Sequence, residues 1–136
     1  MKLHASLLVA VFGLFLLPGC GEQDGETGGA AASAKSKVDY QAIFNSTGVL
    51  KISHKDNNGE LIVEEAVVAK TVGTKWGKDY EFDGPIDAMI SVELSDDSPP
   101  DPVGVEFYIA IDGERVQKAT KFLTKTKGMT LSAKRP

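Results

Sequence analysis

Residues 86–94 read Ile86-Asp87-Ala88-Met89-Ile90-Ser91-Val92-Glu93-Leu94, and their alternation decides the fold class. Ile86, Ala88, Ile90, Val92 and Leu94 fall on one face, and Asp87, Met89, Ser91 and Glu93 on the other. A period of two is the signature of a strand with one face in a core and one in water. This is the cleanest such pattern in the chain and predicts a central strand. It ends at Ser-Asp-Asp-Ser-Pro-Pro-Asp-Pro, residues 95–102, whose three prolines fix φ and remove amide donors, so a loop follows.

Outward from this strand the same period recurs. Downstream, Val103, Val105, Phe107, Ile109 and Ile111 alternate up to the tight turn Asp112-Gly113. Residues 114–124 return, with either Val116 and Phe122 or Ala119 and Leu123 inward, and residues 129–133 make a last short strand. Upstream, Tyr80 and Phe82 point inward from residues 78–83, and residues 71–77, which hold two glycines and Trp76, read as a loop. Leu50, Ile52 and His54 share a face of residues 49–55. Asp56-Asn57-Asn58-Gly59 then predicts a hairpin, because Asn-Gly tolerates the positive φ of a type I′ turn. In the return strand, residues 60–70, the run Ala66-Val67-Val68-Ala69 breaks the alternation, as a bulge or a strand covered on both faces would. Val38, Tyr40, Ala42 and Phe44 give the first strand. Strands this short, with turns every eight to twelve residues, predict an all-β domain. The fold class is an antiparallel immunoglobulin-like β-sandwich of about seven strands, with a small barrel as the alternative.

The front of the chain is different. Residues 7–17 are an apolar run of eleven, about half of what spans a bilayer as a helix. The run leads into Leu17-Pro18-Gly19-Cys20, the pattern of a bacterial lipobox. The expectation is a lipoprotein signal peptide over residues 1–19 and a lipidated Cys20 as the new N-terminus. A membrane partnership through at least a diacylglyceryl anchor follows, since two chains hold a protein where one holds it marginally. Cys20 is the only cysteine, so no intramolecular disulfide can form, and a thioether would use up the lone thiol. Residues 20–37 are rich in Gly, Ala, Ser and charge, a composition that cannot offset the entropy of ordering. They read as a flexible tether with a reach of about 20–25 Å, leaving residues 38–136 as the sandwich domain. Gly21 in place of Asp favours the outer membrane or cell surface in a Gram-negative host.

Charge narrows the function classes. The formal net charge is −4, and no aromatic-basic pattern points to nucleic acid. Residues 79–114 carry eleven acids and no Lys or Arg, whereas residues 115–136 carry seven bases and no acid. Neighbouring strands would pair these charges; a basic edge against anionic headgroups is the alternative. His54 is the only histidine after Cys20 and no Gly-x-Ser-x-Gly motif accompanies it, so no catalytic residue is assigned and no cofactor is expected. Zinc lacks ligands. Asp96, Asp97 and Asp101 in the proline-stiffened loop are the candidate contacts for a small ligand or a cation such as calcium. Trp76 closes the core or lids one end, and is otherwise the candidate for stacking on a ligand.

Together these residues resemble the mycobacterial membrane protein small family. The likeness runs over most of residues 40–124: Tyr40, then Ile52-Ser53-His54 with Asn57-Asn58-Gly59, then Lys75-Trp76-Gly77-Lys78 before Tyr80 and Phe82, and last Ile109-Ala110-Ile111-Asp112-Gly113. The family's cysteine pair is absent, Lys75 precedes Trp76 where the family has proline, and the anchor is lipid instead of a transmembrane helix. The resemblance implies an immunoglobulin-like fold. It also implies a non-enzymatic role as accessory partner to another cell-envelope protein, a lipid or siderophore exporter.

Overall fold

In the computed structural model, residues 34–99 and 102–136 are described. The signal peptide, Cys20 and most of the tether lie outside them, as does Asp101. Eight strands follow one another: β1 (Ser36–Phe44), β2 (Gly48–Lys55), β3 (Leu61–Ala69), β4 (Lys75–Phe82), β5 (Ile86–Leu94), β6 (Val103–Ile111), β7 (Glu114–Leu123) and β8 (Met129–Arg135). They form two antiparallel four-stranded sheets, one ordered β4-β1-β6-β7 and the other β3-β2-β5-β8. The architecture is the predicted β-sandwich. Its order puts β1 between β4 and β6, whereas the first strand of an immunoglobulin constant domain lies at a sheet edge.

The core is what the alternation predicts. Tyr40, Phe44, Leu50, Ile52, Ile90, Phe107 and Ile109 are fully buried between the sheets. The register explains why: Leu50, Ile52 and His54 of β2 pair with Leu94, Val92 and Ile90 of β5, so both inner strands present one apolar face. β5 is central in its sheet, flanked by β2 and β8.

Three local readings need correction. β1 starts at Ser36, so Ser36 and Lys37 are strand and not tether. Lys75, Trp76 and Gly77 belong to β4, where Trp76 pairs with Ala42. Exposed flanking residues and a glycine masked the strand. At the Asp56–Gly59 turn only Gly59 has positive φ, 78°, so the turn is not type I′. Instead the Asp56 carboxylate accepts from the Asn58 and Glu60 amides, both at 2.8 Å. Both residues of Asp112-Gly113 have positive φ, 53° and 84°, and that is the type I′ hairpin.

Two bulges settle the ambiguous strands. The β2–β3 register slips between Leu50 and Ile52, leaving Glu65 and Ala66 opposite Lys51. The β6–β7 register slips between Ile109 and Ala110, so Val116 is the extra residue of β7. Ala119 and Leu123 therefore face the core with Val116, and Phe122 is turned out, 76% exposed. The bases of the C-terminal run pair with acids of the preceding stretch in Lys118–Glu106 (3.1 Å), Lys134–Asp87 (3.5 Å) and Arg135–Asp112 (2.7 Å).

Candidate functional site

Two places gather polar chemistry, and the residues singled out from the sequence divide between them. The first lies where β4, at the edge of one sheet, faces β2 and β3 of the other. His54 is fully buried there. Its Nε2 lies 2.8 Å from the Tyr80 hydroxyl, a bond either atom can donate. The His54 ring sits 5.5 Å from Tyr40, 5.4 Å from Trp76 and 5.6 Å from Tyr80, centroid to centroid. Alternation puts all four rings inward, and the packing of one sheet on the other brings them together.

Trp76 covers this cluster half-buried, against the core. Its indole N–H donates to Glu64 Oε2 at 2.8 Å, and Lys78 Nζ meets Glu64 Oε1 at 3.2 Å. Glu64 sits on an inward position of β3, paired with Ile52, and ties the two sheets at their edges. Burial pushes the Glu64 carboxyl up, but the bonds from Trp76 and Lys78 outweigh it and hold the group below the usual carboxylate range. Sequence reasoning missed Glu64; the signal is an acid on the core-facing side of β3, the side it shares with Ile62 and Val67.

Burial lowers the His54 pKa, with Glu64 and Asp56 opposing the shift and Lys78 adding to it. Burial also pushes Tyr40 up to about 12, so its phenol is neutral throughout the physiological range. The Tyr40 hydroxyl and His54 Nδ1 make no hydrogen bond to the protein. Among the described residues, the imidazole of His54 has the Tyr80 hydroxyl as its hydrogen-bond partner and packs within the core.

The second place is a groove of about 600 Å³ at the end of the sandwich where the chain passes from β5 to β6 and from β7 to β8. Asp96 and Asp97 line it, as do Glu65, Glu93 and the lysines Lys51, Lys125 and Lys127. Lys125 Nζ donates to the Asp96 carbonyl at 3.2 Å, and Lys51 pairs with Glu65 at 3.5 Å. The predicted loop acids are thus brought to a groove, but they share it with three ammonium groups. Among the described residues no three His, Cys, Asp or Glu side chains converge as metal ligands. Trp76 takes no part: its partners are Glu64 and His54, and it lines neither the groove nor the neighbouring hollow beside Phe122. The structure therefore does not assemble Trp76 with Asp96 and Asp97 into one site.

Among the described residues no helix is long and apolar enough to cross a membrane. No protein-family model matches the chain, and no curated protein matches it.

Proposed function

We propose that the protein is a lipid-anchored bacterial envelope lipoprotein, held through Cys20, whose β-sandwich is a non-enzymatic binding or accessory module for another cell-envelope protein such as a transporter. The observation that carries the binding role is apolar surface. Leu61 (55%), Val68 (52%), Val72 (70%) and Phe122 (76%) stand exposed on a domain that has already filled its core. Exposed apolar side chains that gather on one strand mark an interaction surface, whereas scattered ones need no explanation; Leu61 and Val68 both belong to β3. The anchoring half rests on Leu17-Pro18-Gly19-Cys20 and on the absence of any other cysteine from the sequence. The sealed His54–Tyr80 pair supports the non-enzymatic half, since the histidine offers no nitrogen to solvent.

Cys20→Ser should move the protein from the membrane to the soluble fraction of lysed cells. Retention in the membrane would overturn the anchor. Crosslinking in intact membranes should recover a specific envelope protein, and recovery of none above background would overturn the accessory role.

A second reading, a small-ligand or calcium-binding lipoprotein, is favoured by Asp96 and Asp97 lining one groove. A ligand of the native state must raise the melting temperature. Calcium that leaves it unchanged removes the cation form of this reading.

A further inference from the structure

The bases of the C-terminal run are matched unevenly. Lys118, Lys134 and Arg135 each meet a carboxylate, and the Arg115 guanidinium lies 4.2 Å from the centre of the Tyr108 ring. Lys125 donates to a backbone carbonyl. Among the described residues, Lys121 and Lys127 make no ion pair. Both line one hollow of about 350 Å³ between the end of β7 and the start of β8, together with Phe122, Leu123, Gly128 and Met129. No acid lines this hollow. Glu65, Glu93, Asp96 and Asp97 belong to the neighbouring groove, which shares only Lys127 and Gly128 with it.

Local structure gives the hollow its two characters. The extra residue Val116 in β7 sets the register that sends Leu123 inward and Phe122 outward. Phe122 pairs with Gly104, and its ring lies against that glycine, where a Cβ would come within 3.1 Å of Cε1. The rest of the ring stays in water, and at 76% it is the most exposed large apolar side chain of the described domain. The turn over Thr124–Lys127 closes with the Lys127 amide donating to the Thr124 carbonyl at 3.1 Å, which brings Lys127 back beside Met129. Lysine stems lie along apolar surface while their ammonium groups stay in water. The result is an apolar wall edged by two positive charges.

Charge and chain length select the occupant. Two bases with no acid between them take an anion, and Phe122 with Met129 takes an apolar body joined to it. An anionic phospholipid has both parts, and basic and apolar side chains together are what hold a protein surface at a charged bilayer. The bilayer that holds Cys20 is within reach. The hollow lies at the end of the sandwich where Leu123 pairs with Val103, whereas β1 begins at the other end, where Val38 pairs with Ile111. The nine residues of β6 between them span about 30 Å. The sixteen residues 20–35 extend to about 55 Å at most, so the chain can run back past the sandwich with the hollow on the bilayer.

We infer that the hollow edged by Lys121 and Lys127 binds an anionic phospholipid of the anchoring membrane, its phosphate between the two ammonium groups and its upper acyl chain against Phe122 and Met129. This rests on the anchored half of the proposed function for the source of the lipid, and it leaves Leu61 and Val68 to a protein partner. The domain then has two holds on one bilayer, Cys20 and the end of the sandwich opposite its tether.

The test uses the full chain in nonionic detergent micelles doped to equal mole fraction with dioleoyl phosphatidylglycerol or dioleoyl phosphatidylcholine, with glycerol 3-phosphate as the free headgroup anion. Phosphatidylglycerol should slow amide exchange at residues 121–129 saturably and raise the melting temperature. Phosphatidylcholine and glycerol 3-phosphate should each bind at least tenfold more weakly. Lys121→Glu, Lys127→Glu and Phe122→Ser, all at exposed positions, should each weaken phosphatidylglycerol binding at least tenfold while the melting temperature without lipid stays near that of the parent. Equal protection by the two lipids, equal protection by glycerol 3-phosphate, or protection only outside residues 121–129 would overturn the site. Cys20→Ser separates this inference from the anchor. Release of that variant from membranes, with no protection of residues 121–129 in the parent, overturns the hollow and leaves the anchor standing. Retention of the variant, with protection intact, overturns the anchor and leaves the hollow as a lipid site. In intact membranes a photocrosslinker at Phe122 should give a phospholipid adduct, and a protein adduct in its place would overturn the lipid in favour of a protein partner.

Discussion

His54 is the residue on which the polar interior turns, and it sets a dependence of stability on pH. Burial keeps its imidazole neutral, so its pKa in the folded protein lies below the ordinary value near 6.5. The unfolded chain takes up a proton as pH falls through that value, and the folded chain resists. The contribution of His54 to stability is therefore complete above the unfolded pKa and is lost as pH falls through the lower folded one. Asp87, held down by its bond from Lys55, and Asp112, held down by the Lys37 amide, lose their stabilising ionised forms only in the more acidic carboxylate range. As pH falls below about 6.5 the melting temperature should fall, and His54→Leu should flatten that part of the profile. An unchanged slope in the variant would refute the assignment. Alternation placed His54, Tyr40 and Tyr80 inward. Their meeting was not legible, because β2 and β4 lie in different sheets and no local rule says which strands face each other.

At the scale of elements, hydrophobic period located most strands and turn chemistry most joints. The failures have identifiable causes. The glycines near Trp76 read as loop, yet Gly77 fits within β4, where a Cβ would meet the Tyr40 carbonyl oxygen only in ordinary contact at 3.4 Å. Asn58-Gly59 has the composition of a type I′ turn, but the Asp56 carboxylate binds the amides of a longer four-residue loop and wins. The alternatives left for β7 were resolved by a single inserted residue, Val116, which period alone cannot foresee. The entry of β2 is as tightly specified as the core. A Cβ on Gly48 would come 2.3 Å from a Val103 methyl of the opposite sheet. Gly48→Ala should accordingly destabilise by about 1–3 kcal/mol, the usual range for overpacking. That is a drop of roughly 4–8 °C in melting temperature per kcal/mol for a domain this size. Gly48→Ala with Val103→Ala should recover part of the loss, and no recovery would show that the clash is not with Val103.

For the molecule as a whole, one core serves both sheets. Val38, Phe44, Leu50, Ile90, Phe107 and Leu131, drawn from five strands, belong to a single buried cluster. Neither sheet can keep its inner face dry without the other, so the described domain should unfold in one step. Far-ultraviolet circular dichroism and Trp76 fluorescence should give coincident melting curves, and separated midpoints would contradict a shared core. With Cys20 the only cysteine, reductant should leave the midpoint unmoved. The class of fold was legible because the two-residue period is a property of each strand alone. The order β4-β1-β6-β7 was not, since partner choice depends on surfaces far apart in sequence. The candidate site was half legible: Asp96 and Asp97 line a groove, whereas Asp101 lies outside the described residues. The place of β3 at a sheet edge was not legible, because an apolar strand reads the same from sequence whether it lies at an edge or in the middle of a sheet.

That strand order also governs the timing of assembly. β1 is the first strand to emerge from anything that threads the chain N-terminus first, yet its two hydrogen-bonded neighbours are β4 and β6. Until residue 82 has come through, β1 has no partner on either side, and until residue 111 it has only one. Contacts this distant along the chain close slowly. A polypeptide handled this way stays unfolded for most of its passage, the condition in which a narrow conduit can carry it, and completes its sandwich only on the far side.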